Sequence, residues 1–267
     1  MDTFSSMELV PEQTDIILNE AQDDVINEII NLGVEEQQTY KDYFAKLVTT
    51  QNTNTFLPGF EPFELQVELP SDYMLALMER VDVQYPDCKR ITSGNLVAGT
   101  SYIVIEGSIV YQGLLNYAKG QSFTAVSGST KFNGTGEVRE LLTKRAEVKA
   151  VSRDKYIKVI NNPFTTPNKD KILALEYAST VVGGSQRHGL IGSQFATPSR
   201  YYLHYYRKPA RMQYGSQYAP ATVDVDCELS DRACNRIVEK AITKAYKIFN
   251  AQEYPVMKQE EIINTIK

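Results

Sequence analysis

The feature that most constrains the fold of this chain is a glycine-rich, proline-free segment near its middle. Between Gly94 and Gly136 there are eight of the chain's 15 glycines, and no proline occurs from Asp87 to Asn162. Glycines spaced in this way between short apolar runs are typical of antiparallel strands joined by tight turns. We therefore predict an all-β module, a small barrel or sandwich, over residues 91–141. Its candidate strands are Ser101–Ile105, Ile109–Tyr111, Leu114–Tyr117, Ser122–Val126 and Glu137–Leu141.

The two ends of the chain show helical periodicity instead. A first helix is predicted from Pro11 to Leu32, with isoleucines and valines on one side and acids on the other, and a second from Val34 to Val48. Near the other end, Ser230 and Asp231 can cap a helix whose apolar residues repeat at three and four positions as far as Phe249. Such helices must each bury one face.

The remaining segments predict a mixture of both element types. Phe63–Leu69 alternates as a strand does, and Leu69–Asp72 indicates the start of a further helix through Met74, Leu75, Leu77 and Met78. Two later strands are predicted at Ile172–Glu176 and Arg200–Tyr206. The predicted fold class is α+β: a helical core with a small antiparallel sheet, plus the inserted all-β module. The core is discontinuous and takes residues 1–90 and 142–267.

Charge is distributed unevenly along the chain. Residues 1–72 carry 15 acidic side chains against only Lys41 and Lys46, a local net charge of −13, although the whole chain carries only −5. The remaining residues therefore carry +8. This separation predicts a solvated acidic helix pair, an acidic face that meets a basic face on a neighbouring subunit, or a protein that presents one sign of charge to nucleic acid and the other elsewhere.

One basic stretch stands out within the positive part of the chain. Its cations are Lys144, Arg145, Lys149, Arg153, Lys155 and Lys158. Dispersed cations are sufficient for phosphate contacts, yet no DNA-reading helix or RNA-binding motif accompanies them. We therefore favour a salt-bridged subunit interface for this stretch and keep non-specific contact with passing DNA as the alternative.

Recognised catalytic and metal-binding motifs are absent from the sequence. There is no P-loop, no zinc-protease motif, no nucleophile elbow and no dinucleotide-binding fingerprint. The glycine-rich loop Gly183–Gly189 fits no phosphate-binding pattern, so we interpret it as a hairpin tip, and we assign His204 no role. Cys88, Cys227 and Cys234 match no zinc spacing. We expect no enzyme activity, no cofactor, no metal, no membrane span and no secretion signal.

Several short motifs give the chain a resemblance to a known class of proteins. The motifs are Leu-Pro-x-Asp-Tyr at 69–73, Asn-Pro-Phe-x-x-Pro at 162–167, Tyr-Tyr-Arg-Lys-Pro at 205–209 and Cys-Glu-Leu-Ser at 227–230. Together with the two N-terminal helices they resemble neck and connector proteins of tailed bacteriophages, particularly crAss-like phages. The glycine-rich segment is similar to a β-module that is inserted in phage structural proteins.

This resemblance implies a virion structural protein that forms a ring in the head-to-tail connector beneath the portal. Such rings commonly contain twelve subunits, contact the portal or neighbouring neck and tail rings, and let double-stranded DNA pass without specific binding. The expected location is the virion, and the host bacterial cytoplasm during assembly. The alternative is a tail or collar binding module whose β-insert recognises a carbohydrate or receptor.

The resemblance also implies a role for the last residues of the sequence. They are expected to dock on the portal or on the next ring. The apolar and aromatic residues of this docking tail are Tyr254, Val256, Met257, Ile262, Ile263 and Ile266.

Overall fold

The fold is mostly β, and it corrects the predicted fold class. The computed structural model describes residues 10–31, 42–93, 96–111, 115–126, 132–162, 164–177, 186–193, 196–213 and 224–249. Of these residues, 45% lie in strands and 27% in helices. The prediction of a helical core with a small antiparallel sheet is wrong, because a curled mixed sheet of ten strands dominates the described structure.

The two long helices lie near the ends of the chain, and most of the elements between them are strands. The helices are α1 (Pro11–Asn31), a 3-10 turn (Ala45–Leu47), α2 (Arg153–Ile160) and α3 (Asp231–Phe249). The first strands are β1 (Val48–Thr53), β2 (Leu57–Pro58), β3 (Glu64–Glu68), β4 (Tyr73–Pro86), β5 (Ser101–Glu106), β6 (Ser108–Tyr111) and β7 (Leu115–Ala118). The others are β8 (Ser122–Thr124), β9 (Phe132–Gly134), β10 (Glu137–Ala150), β11 (Lys171–Tyr177), β12 (Arg187–Ile191) and β13 (Thr197–Arg207).

One segment predicted as helix forms a strand, and the predicted second helix, of which residues 34–41 lie outside the described residues, ends before Val48, where β1 begins. Met74 to Met78 belong to β4, because the alternating run Val81 to Tyr85 pairs with β10 and the strand continues upstream from there. Leucine and methionine tolerate both conformations, so pairing overrides their helix propensity. Residues 48–53 form β1, since Val48 and the threonines that follow are β-branched and fit a pleated surface.

The large sheet is organised around two strands of 14 residues, β4 and β10. Its strand order is β1-β13-β4-β10-β11-β12-β3-β2, with β5 and β8 added along the first part of β10. β10 and β11 are parallel, whereas β10 with β4, β11 with β12 and β12 with β3 are antiparallel. A separate sheet has the order β7-β6-β9.

The chain forms two compact units. Unit 1 contains residues 1–49 and 206–267, and unit 2 contains residues 50–205. In unit 2 strands β11 and β12 are buried on both faces, as their continuous apolar runs require. Ile172 and Ala174 of β11 face the inside of the curled sheet, whereas Leu173 and Leu175 face the cluster that includes Tyr156 of α2.

The glycine-rich segment forms its own apolar cluster within unit 2. Five of its predicted strands are present as β5, β6, β7, β8 and the start of β10. Their buried residues include Tyr102, Val104, Ile109, Tyr111 and Phe123. Glu137 to Glu140 pair with β5, and the same strand then continues into the large sheet. The boundaries of the insert at 91–141 stay a prediction.

Unit 1 contains the antiparallel helix pair α1 and α3. Small or β-branched residues allow the helices to approach closely, with Ala21, Val25 and Ile29 of α1 fully buried. Along one side, acids of α1 pair with cations of α3. The pairs are Glu20–Lys244 at 3.2 Å, Asp24–Lys244 at 2.9 Å, Glu28–Arg236 at 3.2 Å and Glu28–Lys240. Much of the acidic charge of α1 is therefore neutralised within the same chain.

A bidentate ion pair between Arg207 and Glu228 fixes the segment before α3 to the end of β13. The two terminal nitrogens of Arg207 donate to the carboxylate of Glu228 at 2.8 and 2.9 Å, and the amide of Ala210 donates to it at 2.7 Å. The hydrogen bonds from Arg207 hold the pKa of Glu228 below its usual value of 4.5. The ionised carboxylate thus stabilises the folded state.

We predict that Glu228→Gln lowers the free energy of unfolding by about 1–2 kcal/mol at neutral pH, because it removes the charged partner of Arg207. The folded-state pKa is depressed, so the stabilisation is present above about pH 4.5 and is lost as the pH falls through the lower folded-state pKa. Urea titrations at a series of pH values measure this, with Glu239→Gln on the exposed side of α3 as control. An equal difference between wild type and variant at all pH values would contradict the assignment.

Candidate functional site

Helix α2 covers one face of the large sheet in unit 2. Ser152 precedes it in an extended conformation, and Tyr156, Val159 and Ile160 pack against Leu173 and Ile191 of the sheet. A helix of eight residues is too short to be stable alone, so this packing holds it in place. The opposite side of α2, including Ile157, faces solvent.

Next to α2, a tight loop before β3 is organised by the buried carboxylate of Glu64. The backbone amides of Phe60 and Glu61 each donate to Glu64 Oε2 at 2.8 Å. Tyr177 forms a further side-chain hydrogen bond with Glu64. Burial, and to a smaller extent this bond to the carboxylate, raises the pKa of Tyr177 to about 12. A carboxylate that is only 4% exposed is stable when several donors satisfy it, as here.

The space for Glu64 depends on a glycine in the neighbouring strand. A Cβ atom at Gly189 would lie 2.1 Å from Glu64 Oε1 and 2.5 Å from the ring of Tyr177. The loop also forces Phe63 into a left-handed backbone conformation, with φ of 62°. Such a conformation costs about 1–3 kcal/mol and often marks a functional surface.

Four large apolar side chains are exposed in these segments, two in the loop before β3, one on α2 and one four residues after α2 ends. Phe164 is 92% exposed, Phe60 78%, Ile157 66% and Phe63 57%. Phe60 packs edge-on against Tyr177 at 5.8 Å between ring centroids, and the guanidinium of Arg153 lies 5.6 Å from the same ring. We call these four residues, with Lys155 and Lys158 of α2, the α2 surface. It combines exposed aromatic area with positive charge.

The predicted basic stretch is divided between two elements. Lys144, Arg145 and Lys149 lie on β10, and Arg153, Lys155 and Lys158 lie on α2. Lys144 pairs with Asp170, and the guanidinium of Arg145 donates to Asp82 at 3.0 Å. In the described part of the chain, Lys149, Lys155 and Lys158 have no ion-pair partner. The role of the basic stretch as a subunit interface or DNA contact stays a prediction.

Arg145 is half exposed and already takes part in a polar cluster with Tyr202 and Asp82. Its guanidinium lies 4.2 Å from the ring centroid of Tyr202, whose hydroxyl donates to Asp82 at 2.6 Å. Burial of Asp82 opposes ionisation, yet the hydrogen bonds from Arg145 and Tyr202 hold its pKa below the usual value. A phosphate would have to compete with this carboxylate.

A second polar cluster lies inside the curled sheet. His188 is 3% exposed, and its Nδ1 lies 3.3 Å from Glu79 Oε2 and 3.3 Å from the hydroxyl of Tyr201. Burial, and to a smaller extent the nearby carboxylate of Glu79, raises the pKa of Tyr201 well above its usual range. Burial, and to a smaller extent two nearby carboxylates, raises the pKa of Tyr73 to about 12. A cavity of about 430 Å³ adjoins His188 and Tyr73.

These positions correct the interpretation of the Gly183–Gly189 loop. Residues 178–185 lie outside the described residues, but His188 and Gly189 belong to β12 and are buried. His188 connects β12 to strands on the other side of the curled sheet, so it is a structural hydrogen-bonding residue here. The hairpin-tip interpretation therefore fails for these two residues.

Unit 1 carries a separate apolar groove of about 190 Å³ between α1 and α3. Its lining includes Ile17, Leu18, Val238, Ala241, Ile242 and Ala245. The groove lies on the side of the helix pair opposite the ion pairs, because positions 238, 242 and 245 of α3 are rotated away from positions 236, 240 and 244. The predicted docking tail, residues 254–266, lies outside the described residues.

The described residues were compared with the requirements of a metal site and of a membrane-spanning helix, and they meet neither. Among them, no group of three or more histidine, cysteine, aspartate or glutamate side chains could hold a metal ion. No helix in the same residues is long and apolar enough to cross a bilayer. Cys227 and Cys234 form no disulfide. Burial, and to a smaller extent a hydrogen bond with Cys227, raises the pKa of Cys234 to about 12. The thiol of Cys234 is therefore not activated as a nucleophile.

Comparison with known proteins does not assign the chain to a family. No protein-family model matches the chain, and no curated protein matches it. Glu64, which organises the loop before β3, was not singled out from the sequence, and Gly189 was assigned only to a hairpin tip. The only local signal was the turn formed by Pro58, Gly59 and Pro62 before an alternating strand.

We predict that Glu64→Ala lowers the free energy of unfolding by about 2–4 kcal/mol, because two backbone amides lose a charged acceptor. The matched control is Glu68→Ala on the same strand. Glu68 forms an exposed pair with Arg187, so its loss should cost less than about 1 kcal/mol. Urea denaturation of both variants measures the difference. Equal losses would show that Glu64 does not organise the loop.

Proposed function

We propose that this protein is a structural subunit of a ring in the head-to-tail connector of a tailed bacteriophage. The α2 surface is the observation that carries the proposal, and the short motifs that resemble phage neck proteins supply the class of assembly. In this role the protein has no enzyme activity. Its partners are further copies of itself and the portal or an adjacent neck or tail ring.

The α2 surface has the composition of a contact between subunits. Aromatic residues are enriched at the centres of protein interfaces, and burying each phenylalanine or isoleucine contributes about 1.5–3 kcal/mol. An isolated subunit would leave Phe60, Phe63, Ile157 and Phe164 in water. The loop is held by Glu64, so little conformational entropy is lost when a partner covers it.

Charge supports a protein partner over DNA for this surface. Phosphate binding is favoured by cations on an open polar surface, but here Lys155 and Lys158 flank large apolar side chains. An acidic protein surface with apolar residues at its centre is the better complement. When such a contact joins two different surfaces of identical subunits, repetition closes into a ring if the rotation permits.

The mass of the purified protein in solution tests the proposal, with the protein alone and mixed with its cognate portal. We expect a ring-sized assembly in at least one of these conditions, on the order of twelve subunits as in other cyclic connectors. Native mass spectrometry and light scattering provide the measurement. A monomer in both conditions would overturn the proposal.

Substitutions in the α2 surface test the contact itself. We predict that Phe164→Asp combined with Ile157→Asp weakens assembly by at least about 100-fold while leaving the fold intact, since both side chains are exposed in the subunit. Val97→Asp is the matched control, because Val97 is an exposed apolar residue of unit 2 outside the α2 surface. Sedimentation velocity measures assembly and circular dichroism the fold. Equal weakening by the control would contradict the assignment.

A further inference from the structure

The cavity beside His188 in unit 2 has the features of a ligand site that the α2 surface does not use. Its volume of about 430 Å³ falls within the range of small-molecule sites, about 300–1,000 Å³. Leu69, Met74 and Leu75 contribute apolar surface to the lining, and Glu176 and His188 contribute polar groups. A lining of this kind suits a ligand with an apolar body and one polar end.

Strand pairing places the polar groups of the cavity side by side. Glu176 of β11 lies opposite His188 of β12 in the antiparallel register, and residues that lie directly opposite project from the same face of a sheet. Tyr73, at the start of β4, brings its ring to the same histidine, with 6.0 Å between ring centroids and an interplanar angle of 81°. The three residues come from three strands of one sheet, so their positions are set before a ligand binds.

The hydrogen bonds of His188 leave one of its ring nitrogens for a ligand. Among the described residues, the His188 ring is bonded only through Nδ1, which lies 3.3 Å from both Glu79 Oε2 and the Tyr201 hydroxyl. An ionised carboxylate only accepts, so Nδ1 carries the proton and Nε2 of the neutral ring is an acceptor. Gln22 Oε1 is the only sealed side-chain atom without a partner in the same part of the chain. Nε2 is therefore open to the cavity that His188 lines, and it requires a donor from the ligand.

The charge around the cavity favours a cation. Burial is the main reason that the pKa of Tyr73 rises to about 12, and the carboxylates of Glu79 and Glu176 add to the rise. Arg187 also lines the cavity, but its guanidinium already donates to Glu68 at 2.8 Å. A ligand carboxylate or phosphate would meet two carboxylates and an arginine that is already paired. A cation that donates hydrogen bonds is the better complement.

From these observations we infer that the cavity binds the primary ammonium group of an alkylamine. An ammonium group has three donors, and it donates here to His188 Nε2 and to the carboxylate of Glu176. The alkyl chain lies against the apolar residues Leu69, Met74 and Leu75. Such a group occurs in free small amines and in lysine side chains. The inference is independent of the proposed ring, because it concerns a cavity within unit 2 of a single chain.

Isothermal titration calorimetry on the full chain tests the inference. The titrations are made at about pH 8, where an ordinary imidazole is neutral and an alkylamine is still protonated. The probes are n-pentylammonium, pentanol, which lacks the charge, and pentyltrimethylammonium, which keeps the charge but has no N–H donor. We expect n-pentylammonium to bind at least about tenfold more tightly than either of the others. Any other order of affinity, or no binding of n-pentylammonium at millimolar concentrations, would overturn the inference.

Substitution of the cavity carboxylate locates the bound amine. We expect Glu176→Gln to raise the dissociation constant of n-pentylammonium at least about tenfold, because the charged acceptor is lost. The fold should be unchanged by circular dichroism, since Glu176 is exposed in the free protein. Glu106→Gln is the matched control, because Glu106 is an exposed glutamate of β5 outside the cavity lining. Wild-type affinity in Glu176→Gln, or an equal loss in the control, would show that the amine binds elsewhere and would overturn the inference.

A further titration distinguishes the two sources of the ammonium group. Nα-acetyllysine methylamide carries the same ammonium on a lysine side chain within a peptide-like backbone. Tighter binding of this compound than of n-pentylammonium would identify a lysine side chain of another protein as the ligand. Weaker binding would identify a free small amine. If neither compound binds, the inference is wrong.

Discussion

The long strand β10 is the element on which the structure of unit 2 depends. Its first four residues pair with β5, Leu141 to Glu147 pair with β4, and Glu147 to Ala150 pair with β11. One continuous strand thereby joins the glycine-rich cluster to the large sheet. The parallel pairing with β11 requires a crossover connection, and α2 occupies that connection. The position of the α2 surface is thus a consequence of the pairing of β10.

The curled sheet explains why polar groups are buried in this unit. β12 and β13 are separated by three strands in the sheet order, yet His188 and Tyr201 lie within hydrogen-bonding distance. Bringing these strands together buries His188 beside Glu79, and both groups require partners to offset the loss of water. On the other face of the sheet, the buried carboxylate of Glu64 meets the same requirement by accepting hydrogen bonds from the backbone of the loop that carries Phe60 and Phe63.

Sequence patterns predicted the elements that depend on local signals. α1, α3 and the short strands of the glycine-rich segment follow from periodicity and turn residues within each segment. The fold class was wrong because the ten-strand sheet depends on pairing between distant segments; Met74 to Met78, predicted as helix, take their conformation from this pairing as part of β4. The basic stretch was read as one surface, but pairing with Asp82 and Asp170 leaves only part of it open. Glu64 could not be found, because its donors come from the turn it organises and from another strand.

The central claim is that the α2 surface is covered when the protein assembles. Hydroxyl-radical footprinting of the isolated subunit and of the assembled ring tests this claim most directly, because phenylalanine oxidation reports the exposure of single side chains. We expect Phe60, Phe63 and Phe164 to react readily in the subunit and to be protected in the ring, while exposed Val97 and Tyr246 react alike in both. Phenylalanines of the α2 surface that remain as reactive in the ring as in the subunit would contradict it.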